Sequence, residues 1–111
     1  MKEDSVYVKH ILDSINKIEE YTKSLSLDEF CENNIVQSGT IRELEVIGEA
    51  SKNLSPKFTN SLPEIPWRDI NGMRNKLIHE YFNIDLEAVW KTATEDLPHL
   101  KTVLRKGPES S

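Results

Sequence analysis

Apolar residues recur at the three-, four- and seven-residue intervals of a helix along most of this chain. In the first stretch the periodic positions are Val8, Ile11, Leu12, Ile15, Ile18 and Leu25. In the last stretch they are Leu86, Val89, Trp90, Ala93, Leu97, Leu100 and Leu104. The strict alternation of apolar and polar residues that predicts a β-strand is absent from the sequence. The pattern therefore predicts an all-α fold, an antiparallel helical bundle of about five helices.

Capping residues predict where the early helices begin. Ser26 and Glu29 have the spacing of a capping box, which opens a short second helix ending near Cys31. A third helix is predicted over residues 35–54. Cys31 is the single cysteine, so an internal disulfide and a cysteine-based zinc cluster are excluded. Its thiol is predicted to be a small apolar filler.

Prolines predict the later boundaries. Residues 55–66 contain three prolines and are predicted to form one long connection. Pro66 suits the first turn of a fourth helix over residues 67–81. Asp85 is predicted to cap a fifth helix, in which Pro98 causes a kink because the apolar spacing continues beyond it.

The size of the chain predicts a single domain. A chain of 111 residues should bury roughly 65% of the surface that it exposes when unfolded. The domain is predicted over residues 1–106, with residues 107–111 as a flexible C-terminal tail. No apolar run approaches the ~20 residues of a membrane span and no signal-peptide stretch is present, which predicts a soluble, cytoplasmic protein.

The charge balance excludes one class of nucleic-acid binder. The 14 Lys and Arg residues are outnumbered by 19 Asp and Glu, so the formal net charge is −5. A surface that is basic overall, as in proteins that scan nucleic acids, is therefore absent. Any phosphate contact must come from a small local site.

The predicted fourth helix contains one residue that breaks its own pattern. At 100° per residue its apolar face consists of Trp67, Ile70, Leu77, Ile78 and Tyr81. Arg74 lies near the centre of this face, where a guanidinium is costly unless it is paired or faces a cleft or a partner surface. The alternative is a structural arginine that pairs with a buried glutamate such as Glu45 or Glu49.

Two further residues of this helix have competing interpretations. His79 lies at the boundary between the apolar and solvated faces. A histidine at such a boundary is more often a structural residue than a catalytic one. An imidazole with a pKa near ~6.5 is nevertheless suited to general acid–base work on RNA. Tyr81 either completes the apolar face or presents its hydroxyl at the helix end.

Residues 74–81, RNKLIHEY, form an R-x4-H-x-Y motif. This motif resembles that of the HepT-like toxins, small members of the HEPN superfamily. The similarity extends to residues 41–55 (IRELEVIGEASKNLS), 65–73 (IPWRDINGM) and 85–97 (DLEAVWKTATEDL). The resemblance thus covers nearly the whole chain.

The resemblance implies a homodimeric HEPN-like bundle that acts as a metal-independent endoribonuclease without a cofactor. Arg74 and His79 would be the catalytic residues, and Asn75 would orient the substrate or the histidine. The implied partner is a small nucleotidyltransferase antitoxin that transfers AMP to Tyr81 and silences the toxin. The resemblance also leaves open a non-catalytic role, as the nucleotide- or substrate-binding subunit of that nucleotidyltransferase.

Overall fold

The computed structural model describes residues 2–72 and 85–106, and every regular element in these ranges is helical, which confirms the predicted fold class. The elements are α1 (Lys2–Thr22), α2 (Leu27–Cys31), α3 (Asn34–Lys52), α4 (Pro56–Ser61), α5 (described over 67–72), α6 (Leu86–Lys91), a π-helical turn (Thr92–Asp96) and α7 (Leu97–Lys106). Among these helices, none combines the length and the apolar character that crossing a membrane requires.

Helices α1 and α3 form the antiparallel pair at the centre of the fold. Asp4, near the start of α1, hydrogen-bonds to Ser55 just after α3. At the other end, the ring of Tyr21 lies so close to Gly39 that an added Cβ would meet it at 3.1 Å. The fully buried apolar side chains among the described residues are Ile11, Ile15 and Ile18 of α1, Phe30 of α2, Leu44 and Ile47 of α3, and Leu97 of α7. Three of the periodic positions are therefore core positions, while Val8 and Leu12 pack partly buried against the core and Leu25 lies beyond the end of α1.

The beginning of α2 is the capping box that the sequence predicts. The backbone N–H of Glu29 donates to the Ser26 hydroxyl, and the backbone N–H of Ser26 donates to the Glu29 carboxylate at 2.8 Å. The helix ends at Cys31, where the prediction places its end. The prediction for the cysteine side chain is wrong, because Cys31 is exposed. Phe30 fills this part of the core and packs against Trp90 of α6 at a ring distance of 5.2 Å.

The predicted connection between the third and fourth helices is partly wrong, because it contains α4. Ser55 is the N-cap of this helix and accepts a hydrogen bond from the backbone N–H of Phe58. Pro56 occupies the first turn, where a missing N–H costs nothing. A serine followed by proline is therefore a helix start here, although the density of prolines favoured a loop.

A π-helical turn lies directly before Pro98, the residue at which the sequence predicts a kink. Helix α6 is capped by Asp85, whose carboxylate accepts from the backbone N–H of Ala88. The chain then widens through Thr92–Asp96 and continues as α7, with Pro98 in its first turn. Proline lacks an N–H and its ring crowds the preceding turn, and a wider turn accommodates both effects. The buried residues Ala93, Leu97 and Leu100 stay on one face throughout.

The junction between α1 and α4 depends on one carboxylate. Asp4 is only 6% exposed and accepts from the backbone N–H of Ser55 at 2.8 Å and from its hydroxyl at 2.7 Å. Burial raises the pKa of Asp4, but the two hydrogen bonds from Ser55 and the positive charge of the N-terminus outweigh it, so the pKa lies below its ordinary value of 3.8. The ionised carboxylate is therefore the form that stabilises the fold.

Replacing Asp4 by Asn is expected to destabilise the fold at neutral pH by about 1–2 kcal/mol, since a hydrogen-bonded charge is lost. The difference in the free energy of unfolding between the two proteins should persist at pH values above 3.8, the ordinary pKa of aspartate. It should disappear as the pH falls through the lower pKa that Asp4 has in the folded protein. Urea denaturation of both proteins over a series of pH values measures this. A difference that stays constant down to the lowest pH would contradict the assignment.

Candidate active site

Helix α5 carries the chain toward the R-x4-H-x-Y motif, and its first residue is held firmly. The helix follows Pro66, whose carbonyl accepts the first helical hydrogen bond from the backbone N–H of Ile70 at 3.1 Å. The indole N–H of Trp67 lies 3.1 Å from the carbonyl oxygens of both Thr59 and Leu62. The start of α5 is thus tied to the end of α4.

One turn later, α5 is tied to α3 by a pair of polar side chains. The hydroxyl of Ser51 donates to the side-chain oxygen of Asn71 at 2.6 Å. Ser51 is only 2% exposed, and its hydroxyl also lies 2.9 Å from the Gly48 carbonyl of its own helix. In the sequence, Ser51 is one small residue within the predicted third helix. No local signal indicates that it bonds to a residue 20 positions further along the chain.

A cleft of about 650 Å³ opens beside α5. It lies between α5 on one side and the π-helical turn with the start of α7 on the other. Its lining residues are Ile65, Pro66, Arg68, Asp69, Ile70, Gly72, Thr92, Glu95, Asp96, Leu97, His99 and Leu100. Within the part of the chain that the structure describes, an added Cβ at Gly72 would meet no atom within 4 Å. The cleft therefore borders the last described turn before the motif.

Among the described residues that line this cleft, the charged side chains are mostly carboxylates. Asp69, Glu95 and Asp96 line it together with one described guanidinium, that of Arg68. All four side chains belong to exposed residues. Closely spaced carboxylates repel phosphate groups, so the charge on these walls disfavours binding of a nucleic-acid backbone in the cleft.

The four site residues predicted from the sequence, Arg74, Asn75, His79 and Tyr81, lie outside the described residues, as does the predicted tail over 107–111. Their assigned roles therefore stay predictions. Neither glutamate suggested as a structural partner for Arg74 is a buried residue, because Glu45 is half-buried and Glu49 is exposed. The buried glutamate of α3 is Glu43, which the sequence analysis did not single out. In the described ranges, no group of three or more His, Cys, Asp or Glu side chains is placed to hold a metal ion.

One protein-family profile matches nearly the whole chain. The profile of the Ribonuclease HepT-like family matches residues 11–106, which include the R-x4-H-x-Y segment. No solved structure gives a significant match.

Curated relatives support the same grouping. The chain is 45% identical over 100 residues to a Thermococcus cleftensis protein named "Probable ribonuclease HepT", covering 90% of this chain and 91% of the relative. It is 36% identical over 106 residues to a "Putative RNase" of Caldanaerobacter subterraneus subsp. tengcongensis, covering 96% and 95%. A Methanocaldococcus jannaschii protein named "Gamma-glutamylcyclotransferase and putative RNase" is 42% identical over 105 residues, which are 95% of this chain and 47% of that protein. The chain belongs to the Ribonuclease HepT-like family.

Proposed function

We propose that this chain is the toxin of a toxin–antitoxin pair and a metal-independent endoribonuclease, neutralised by a nucleotidyltransferase that transfers AMP to Tyr81. The observation that carries the proposal is family membership over residues 11–106 with every position of the R-x4-H-x-Y motif present. The names of the curated relatives, among them a ribonuclease HepT, support RNA as the substrate.

The proposed reaction is an internal transesterification of RNA. The ribose 2′-oxygen attacks the adjacent phosphorus, the bond from phosphorus to the 5′-oxygen breaks, and the products carry a 2′,3′-cyclic phosphate and a 5′-hydroxyl. His79 removes the proton from the 2′-hydroxyl or protonates the leaving 5′-oxygen. Arg74 stabilises the extra negative charge on the pentacoordinate phosphorus with paired N–H donors, and Asn75 orients the substrate or the histidine.

The motif geometry favours a site shared by two copies of the chain. On an ideal helix His79 lies about 140° around the axis from Arg74, so the two side chains leave the helix in different directions. A second subunit related by a two-fold axis brings another arginine and another histidine to the same place. The same arrangement explains an arginine at the centre of an apolar face, because that face becomes the dimer interface.

This account predicts a two-fold symmetric homodimer with the motif helix in its interface. Light scattering on the purified chain at micromolar concentration should give twice the mass of 12.8 kDa. Replacing Ile78, on the predicted interface face, by Glu should shift the protein toward monomer and lower its activity. A wild-type monomer with intact ribonuclease activity would contradict the shared site.

The acidic cleft beside α5 is not proposed as the path of the RNA backbone. Its walls carry Asp69, Glu95 and Asp96, which repel phosphates. The scissile phosphate is instead assigned to Arg74, on the apolar face of the same predicted helix.

Expression in a bacterial host tests the proposed function as a whole. The chain alone should arrest growth and degrade cellular RNA, whereas the chain with the nucleotidyltransferase encoded beside it should do neither. The His79→Ala variant, expressed alone at the same level, should be harmless. Normal growth and intact RNA with the wild-type chain alone would contradict the proposal and favour the non-catalytic role as a binding subunit.

A further inference from the structure

We propose that Ser51 and Asn71 are positioning residues, whose hydrogen bond sets the placement of α5, and through it the rate of RNA cleavage by the motif that follows in the chain. The inference rests on the proposed function, since Arg74 and His79 are taken as the catalytic groups. Neither Ser51 nor Asn71 belongs to the R-x4-H-x-Y motif.

The Ser51 hydroxyl is buried among core residues of α3. Ser51 is 2% exposed and lies on the face of α3 that also buries Ile47 and Gly48. A polar side chain in such a place is costly unless its hydrogen bonds are made. The Ser51 hydroxyl has one proton, shared between the Gly48 carbonyl at 2.9 Å and the Asn71 oxygen at 2.6 Å. If only packing mattered, an alanine would occupy this position at a lower desolvation cost. The hydroxyl therefore contributes the hydrogen bond to Asn71 and not only volume.

Hydrogen bonds fix the orientation of α5 more tightly than apolar packing does. Apolar contacts tolerate small rotations and shifts of one helix on another, whereas a short hydrogen bond is satisfied in only one register. Over its described residues, helix α5 has two such attachment points, the Trp67 indole on α4 and the Asn71 side chain on α3. They are four residues apart, about one helical turn. Together they determine the rotation of α5 about its own axis and its distance from α3 and α4.

The Ser51–Asn71 hydrogen bond is close to the motif along the chain. Asn71 precedes Arg74 by three residues, and Trp67 precedes it by seven. The Ser51–Asn71 bond is therefore the nearest described attachment point to the proposed catalytic arginine. A misplacement of about 1 Å at a catalytic group can lower a rate by up to ~100-fold, so a small rotation of α5 is enough to matter.

The chain offers a matched control for this pair. The side-chain amide of Gln37, on α3, donates to the Phe30 carbonyl of α2 at 2.8 Å. The Gln37→Leu variant thus removes a side-chain hydrogen bond between two helices by the same chemical change as Asn71→Leu, at the junction of α2 with α3 rather than at either attachment point of α5. A general loss of stability affects all of these variants, whereas a positioning effect is confined to Ser51→Ala and Asn71→Leu.

The test measures single-turnover and steady-state RNA cleavage by wild type, Ser51→Ala, Asn71→Leu, their double variant and Gln37→Leu. The temperature is one at which circular dichroism shows every protein fully folded. We expect kcat to fall about 10-fold or more in Ser51→Ala and Asn71→Leu, with KM changed less than about twofold. The double variant should lose no more than either single variant, because both lack the same bond. Gln37→Leu should keep the wild-type kcat.

A second measurement does not depend on activity. The imidazole NMR signals of His79, followed through a pH titration, should shift in Ser51→Ala and Asn71→Leu and stay unchanged in Gln37→Leu. Wild-type kcat and wild-type imidazole signals in folded Ser51→Ala would overturn the positioning role and leave the proposed function intact. Equal kcat losses in Asn71→Leu and Gln37→Leu would also overturn it. A wild-type chain that fails to cleave RNA would instead contradict the proposed function, and the imidazole signals then decide whether the pair positions the motif.

Discussion

Replacing His79 by Ala is expected to lower the rate of RNA cleavage by at least ~100-fold, the scale of a general acid–base group. Replacing Arg74 by Ala should have an effect of similar size, since one preorganised donor to a developing negative charge contributes about as much. The expected loss lies in kcat, because both groups act on the transition state rather than on RNA binding alone.

The chain contains a suitable control for the histidine. His10 lies on α1 and is exposed, so His10→Ala removes an imidazole without touching the motif. Initial rates on one labelled RNA, with all variants at equal concentration and checked for folding, give the comparison. Undiminished cleavage by His79→Ala, or an equal loss in His10→Ala, would exclude His79 as the catalytic group.

Replacing Tyr81 by Phe is expected to abolish neutralisation by the nucleotidyltransferase. In the proposed transfer, the Tyr81 oxygen attacks the α-phosphorus of ATP held by the partner, pyrophosphate leaves, and the phenolic proton is lost. The attached phosphate can then pair with Arg74 in the place of the substrate phosphate, and its charge repels incoming RNA. Tyr81→Phe lacks the acceptor oxygen and should stay toxic in the presence of an active partner, even if its own cleavage is somewhat slower.

Intact-mass spectrometry after co-expression measures this modification directly. The wild-type chain should gain mass in steps of one AMP, and Tyr81→Phe should gain none. Tyr21 provides the control, since it is a 37% exposed tyrosine on α1, and Tyr21→Phe should be modified like the wild type. AMP-sized additions that persist in Tyr81→Phe, or that are absent from the wild type, would refute the assignment.

Features that depend on short-range chemistry are predictable from this sequence. The capping box of Ser26 and Glu29 and the Asp85 cap use residues within three positions of each other, and the structure contains both. The predicted third helix over residues 35–54 is observed as Asn34–Lys52, with Asn33 as its N-cap. The apolar periodicity also identifies Ile11, Ile15 and Ile18 as core residues, because a helix buries one face.

Features that depend on how helices meet are not predictable in the same way. The partner of Ser51 is 20 residues away, and the pairing follows from the placement of α5 against α3 rather than from any local pattern. Cysteine is a residue type that is often buried. Here Phe30 occupies the buried position at the end of α2, and Cys31 is exposed. The sequence pattern does not predict helix α4, because the helix begins at Ser55–Pro56 among prolines that suit a loop equally well. For the motif residues, the helical wheel predicts faces but not contacts, so the roles of Arg74 and His79 depend on experiment.

The end groups of the RNA products test the central claim most directly. The purified chain is incubated with an end-labelled RNA in excess EDTA, and the new termini are identified by their response to phosphatase and polynucleotide kinase. We expect cleavage at the rate seen without EDTA, with a 2′,3′-cyclic phosphate on one product and a 5′-hydroxyl on the other. Cleavage that stops with EDTA and returns with Mg²⁺ or Mn²⁺, or products that carry 3′-hydroxyl ends, would contradict the mechanism built on His79 and Arg74.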